Sequence, residues 1–137
     1  MVNRKRKSAP GKIGSAKSAK DLSAVFAALK KILKPYEKHL QVQPIKADFY
    51  ALVTRKAVHN GKPIWFGGIR VGKNYVSYHL VPVYMNTAMQ KRIPAELKKR
   101  MQGKACFNFT EVDPTLFLQL EELTSAGFQG YQALNYI

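Results

Sequence analysis

From Leu22 onward apolar residues recur at helical intervals. Leu22, Val25, Phe26, Leu29, Ile32, Leu33, Tyr36 and Leu40 fall on one stripe, while Lys30, Lys31, Lys34 and Lys38 take the polar side. Ser18 and Asp21 stand at capping-box spacing ahead of that stripe, and Pro35, which has no backbone donor, is expected to kink the helix or close its first part. After Gln43-Pro44 the pattern shifts to runs rich in β-branched and aromatic residues, which predict strands over residues 47–56, 63–71 and 75–83. Asn60-Gly61 is the dipeptide of a tight turn whose two central residues take positive φ, and Gly72-Lys73-Asn74 makes a second break; Pro82 limits the third strand. Ile93-Pro94 opens a short helix over 95–101 that Gly103 ends, residues 105–110 form a fourth strand, and Asp113-Pro114 caps a last helix through Leu116, Phe117, Leu120 and Leu123. Gly127 is its expected stop, with residues 128–137 as a packing tail.

Each element in that order has one apolar side to cover. The economical arrangement is an α+β two-layer sandwich, with an antiparallel sheet of about four to five strands and the N- and C-terminal helices on one face. The other face is then left partly open.

Composition sharpens this picture. With 137 residues, 46% of them hydrophobic, the chain has material for one core, assigned to residues 21–137. Residues 1–20 hold little to bury and are expected to be a disordered basic tail. The net charge of +15 is spread over both parts: the tail carries seven basic groups and no acid, the remainder sixteen basic against eight acidic. Such a field attracts polyanions. The one cysteine, Cys106, rules out an intramolecular disulfide and fits a reducing compartment. No apolar run is long enough to span a membrane and no secretory signal is read at the N-terminus, so a cytoplasmic protein without membrane contact is expected.

The residues HNGKPIWFGGIRVGKNYVSYHLVP (59–82), followed by LKKRMQGKACFNF (97–109), resemble the bacterial YdhG-like domain of unknown function. A glycine-lysine-proline hairpin, an aromatic strand, a strand ending in His before Pro and a late glycine-lysine strand of aromatic character follow one another as in that family. The resemblance covers roughly residues 22–124. It implies a compact α+β sandwich and, through members described as frataxin-like iron chaperones, iron as a cargo. Iron binding of that kind uses an acidic helix and strand edge, whereas the matching helix here is lysine-rich with Asp21 and Glu37 as its carboxylates. No catalytic set and no cofactor are carried over.

Candidate chemistry lies on the open face. Strict alternation puts Tyr75, Ser77 and His79 together and, if the strands share a sheet, joins them to Cys106 and Asn108; on the second strand it sets Trp65, Gly67 and Ile69 against Phe66, Gly68 and Arg70. The expected function is non-enzymatic binding of a small anionic ligand or a partner segment. Trp65 and Tyr75 would give apolar contact, Ser77, His79 and Asn108 hydrogen bonds, and Arg70, Arg100 or Lys104 charge. The plain alternative is a solvated sheet face. Cys106 and His79 could form a nucleophile and base with Lys104 lowering the thiol pKa, but no third group to orient the imidazole is evident, and a lone cysteine is usually a packing residue. His39, His59 and His79 lack metal-site spacing. A second functional reading is a nonspecific nucleic-acid or polyanion binder, using Arg4, Lys5, Arg6 and Lys7 of the tail with Lys98 and Lys99 of the short basic helix, near Lys91 and Arg92. The basic-glycine-aromatic strand motif of RNA-recognition sheets is missing.

Overall fold

The stripe that begins at Leu22 forms the first layer. In a computed structural model, which describes residues 19–44 and 46–137, helix α1 (Ala19–Leu33) buries Leu22, Val25, Leu29, Ile32 and Leu33. It gives way to a 3-10 turn (Lys34–Lys38) at Pro35, which sits in the first turn of the new helix, where its missing N–H costs nothing. Ser18, Arg4, Lys5, Arg6 and Lys7, and with them most of the expected tail, lie outside the described residues.

The second layer is a six-stranded antiparallel sheet, order β1-β2-β3-β4-β6-β5, from β1 (Gln41–Val42), β2 (Phe49–Val53), β3 (Trp65–Val71), β4 (Val76–Leu80), β5 (Met101–Gln102) and β6 (Cys106–Phe109). The four longer strands match those expected. β1 and β5 are pairs of residues added at the two edges. In the β2–β3 connection Asn60 and Gly61 take φ of 51° and 73°, as the turn requires.

Helix α5 (Pro114–Ala133), capped by the Asp113 carboxylate on the Leu116 N–H, joins α1 on the same face. Tyr50, Phe66, Ile69, Tyr78, Leu80, Phe107 and Phe109 point into this core beneath both helices. Two polar groups are buried there as a pair, since the Tyr78 and Thr124 hydroxyls lie 2.6 Å apart. Among the described residues no helix covers the sheet's other face.

Several expectations are corrected. The third strand stops at Leu80, and Val81–Met85 forms α2 with Pro82 in its first turn. The polar segment after it, for which no element was expected, contains α3 (Thr87–Lys91), whose first turn is held by the Asn86 side chain accepting from the Met89 N–H. The expected 95–101 helix is only α4 (Ala95–Lys98), and Gly103, with φ 75°, makes the β5–β6 turn instead of ending a helix. Gly127 does not stop α5. It lies inside the helix, where a Cβ would stand 2.9 Å from the Pro82 ring, so glycine lets α2 pack closely.

Candidate functional site

Cross-strand register lays the open face out in two transverse rows. Phe49 pairs with Arg70, Arg70 with Ser77 and Ser77 with Asn108; one step along, Ala51, Gly68, His79, Cys106 and Gln102 pair in the same way. Within these rows Ser77 Oγ donates to Asn108 Oδ1 (2.7 Å), and Asn108 Nδ2 donates to Gln102 Oε1 (2.8 Å). Nδ1 of His79 lies 2.9 Å from Sγ of Cys106.

Trp65 joins the face through a break in alternation. Leu52 pairs with Gly67 but Val53 with Trp65, so Phe66 is an extra residue, a β-bulge. Both residues of the bulge then face the helices: Phe66 is buried with its ring 5.5 Å from those of Tyr36 and Tyr131, and a Cβ on Gly67 would meet Leu33 at 3.0 Å. The strict alternation expected for this strand is therefore wrong at its start. Trp65 shares a face with Gly68 and Arg70, and Gly67 and Ile69 lie opposite. The indole covers Gly68, where a Cβ would fall 2.6 Å from Cζ3.

The result is a shallow concavity of about 290 Å³ whose lining includes Phe49, Trp65, Gly68, Arg70, Ser77, His79 and Cys106. Its rings touch in sequence: Phe49 to Trp65 at 5.6 Å and Trp65 to the His79 imidazole, edge-on, at 6.0 Å. The Arg70 guanidinium stands 5.5 Å from the Phe49 ring centroid, and among the described residues no hydrogen bond or ion pair occupies its donors. A second concavity of about 460 Å³, lined by Gln43, Pro44, Lys46, Asp48, Phe49 and Arg70, adjoins the first across the Phe49 and Arg70 side chains.

Electrostatics at the His79–Cys106 contact favour neutral groups. Burial lowers the His79 pKa and raises that of Cys106, so the pair rests as imidazole and thiol. Lys104, expected beside Cys106 on the strand, stands exposed in the β5–β6 turn, outside β6. A thiolate–imidazolium nucleophile is not what these surroundings favour.

Of the residues singled out from sequence, Trp65, Arg70, Ser77, His79 and Cys106 line one concavity, and Asn108 adjoins it through Ser77. Tyr75 does not belong to it: it precedes β4, is exposed, and its carbonyl accepts from the Gly72 N–H to close the turn. Arg100 is exposed immediately before β5, its carbonyl accepting from the Asn108 N–H. Lys98 ends α4, which packs against α5 away from the open face, and Lys99, its C-cap, is engaged by Glu96 at 3.2 Å. Two members went unrecognised. Phe49 was findable, because alternation against buried Tyr50 and Leu52 puts it on this face; Gln102 was not, because it sits on a two-residue strand.

Among the described residues no three His, Cys, Asp or Glu side chains gather as a metal site would need, and no helix is long and apolar enough to cross a membrane. No family model, curated protein or solved structure matches the chain.

Proposed function

We propose that this chain is a non-enzymatic binding domain of the YdhG-like type whose open sheet face receives an anionic ligand with a flat apolar part. One observation carries the reading: an aromatic floor (Phe49, Trp65), a guanidinium (Arg70) and hydrogen-bonding side chains (Ser77, His79) share a single concavity. A merely solvated face has no need to lay an indole over a glycine. The ring would bind the flat part of the ligand, Arg70 its charge, and Ser77 and His79 would fix its orientation. The neutral resting state of Cys106 and His79 supports binding over thiol catalysis. The six-stranded α+β sandwich agrees with what the resemblance implies. The iron reading that comes with the same resemblance has no donor cluster among the described residues to rest on.

A thermal-shift screen of aromatic carboxylates, nucleotides and inorganic anions tests this, since a ligand that binds only the folded state raises its apparent stability by mass action. At least one flat anion is expected to raise the midpoint for the wild type and not for Arg70→Ala. If no compound does so, or if Arg70→Ala responds like the wild type, the reading fails.

A further inference from the structure

We infer that the anion recognised by this face is single-stranded nucleic acid, with one base against Trp65 and the neighbouring phosphate at Arg70 and Lys46. The inference rests on the binding reading above and names its ligand. Three observations lead to it.

The two concavities have complementary characters. One is floored by Phe49 and Trp65 with Ser77 and His79 at its side; the other holds Lys46, Gln43 and Asp48 around the same Phe49 and Arg70. A simple anion would use the second and leave the indole idle. A nucleotide unit uses both, because it joins a flat base to a phosphate, and every base offers a π-face for stacking. Arg70, at the junction, can reach the phosphate while its own face is held on Phe49.

The face is open and extended. The row Phe49, Arg70, Ser77, Asn108 crosses four strands with no helix over it among the described residues, and beyond the Ser77–Asn108–Gln102 bonds it keeps the Ser77 oxygen as an acceptor and one Asn108 amide N–H as a donor for base edges next to the aromatic floor. Such a track suits a strand whose bases are splayed apart; a duplex hides those faces.

Charge agrees in sign. Residues 21–137 carry sixteen basic groups against eight acidic. The acids Glu37, Glu96, Glu121 and Glu122 belong to the helical layer, where Glu37 accepts from the Tyr50 hydroxyl and Glu96 from Lys99. Asp48 is the single carboxylate among the residues lining either concavity, beside Lys46 and Arg70. A polyanion is therefore drawn to the molecule and meets net positive charge at the site.

The chain holds one tryptophan, so indole emission, excited selectively over the seven tyrosines, reports this site alone. The full-length protein is titrated with an oligothymidylate of about 12 nucleotides, a length in the range that sheet-type single-strand binders occupy, and with thymidine monophosphate. The oligomer is expected to quench Trp65 saturably and at far lower concentration than the monophosphate. Arg70→Ala should weaken this several-fold and flatten the log–log salt dependence by about 0.7. Asp48→Asn should tighten it. Trp65→Ala, followed by anisotropy of a labelled oligomer, should lose about tenfold in affinity, with Trp65→Phe in between. Oligomer binding that leaves Trp65 emission unchanged and is indifferent to Arg70→Ala would assign nucleic-acid contact to other basic residues and overturn the inference. A monophosphate that binds as well as the oligomer would overturn the single-strand assignment while leaving the anion site standing. If neither nucleic acid nor any screened anion perturbs Trp65, both readings fall.

Discussion

Trp65 stands where a side chain on residue 68 would have to go. A Cβ at Gly68 would lie 2.6 Å from the indole Cζ3 and 3.2 Å from the Ala51 methyl, so the ring and the glycine fit only together. Gly68→Ala removes no functional group, yet it must lift the indole off the strand. Overpacking of this kind costs about 1–3 kcal/mol. The expected result is a lower denaturation midpoint with a red-shifted Trp65 emission, read by urea titration and fluorescence; an unshifted emission would mean the ring does not lie there.

Helix α5 contains two glycines that should respond with opposite signs. Replacing a helical glycine by alanine normally gains about 1 kcal/mol. At Gly130 nothing among the described residues beyond the helix's own neighbouring backbone lies within 4 Å of the added methyl, and that gain should appear in full. At Gly127 the methyl would sit 2.9 and 3.0 Å from two carbons of Pro82, whose ring cannot rotate away. Overpacking at about 1–3 kcal/mol then outweighs propensity. Calorimetry should show Gly130→Ala melting a few degrees higher than the wild type and Gly127→Ala lower.

The elements that could be read from the chain are those whose signal is local. The Leu22-to-Leu33 stripe, the break at Pro35 and the alternation Val76, Tyr78, Leu80 against Ser77, His79 each depend on residues a few places apart, and each is found as expected. The face of Trp65 is not local: the bulge at Phe66 is a relation between β2 and β3, and no period within β3 contains it. Pro82 was ambiguous for a similar reason, since it ends a strand and begins a helix equally well, and the apolar run Val81–Met85 has no turn-length pattern to decide between them. Gly127 reads as a stop until Pro82 is brought against it from α2. The candidate site was thus legible as a set of residue types on β4 and β6, and illegible where it depends on strand register.

The contact between His79 and Cys106 predicts a particular pH behaviour. Burial lowers the imidazole pKa from 6.5 and raises the thiol pKa from 9.0, so both folded-state groups prefer to be uncharged. The unfolded chain binds the extra proton on His79 more readily, and stability should fall as pH drops below 6.5 toward the lowered value. At the other end the unfolded chain loses the Cys106 proton more readily, and stability should fall as pH rises above 9.0 toward the raised value. Iodoacetamide should accordingly label native Cys106 slowly at neutral pH, with the rate rising only above the ordinary thiol range. His79→Ala should leave the neutral-pH rate low. Rapid labelling near pH 7 that His79→Ala abolishes would instead reveal an ion pair and reopen the question of thiol chemistry.

Tyr131 ties the helical layer to the start of the binding strand. Its hydroxyl donates to the Trp65 carbonyl at 2.6 Å, while its ring packs on Phe66 at 5.5 Å, so α5 grips both residues that begin β3. The side chain is 1% exposed, and its phenol pKa is raised by burial. Tyr131→Phe keeps the ring contact and removes the hydroxyl, with its bond to Trp65 and its longer contact to Met85 Sδ at 3.9 Å, a change worth about 1 kcal/mol in stability. Its second effect is the more telling one. With that bond gone the Trp65 backbone is less fixed, and a base or other flat anion on the open face should bind several-fold more weakly, although residue 131 lies on the opposite side of the sheet. Tyr131→Leu, which also gives up the Phe66 contact, should weaken binding further. Urea denaturation and Trp65 quenching measured on the same samples test both effects; full affinity in the destabilised Tyr131→Phe protein would show that Trp65 is held in place by Gly68 and Phe49 alone.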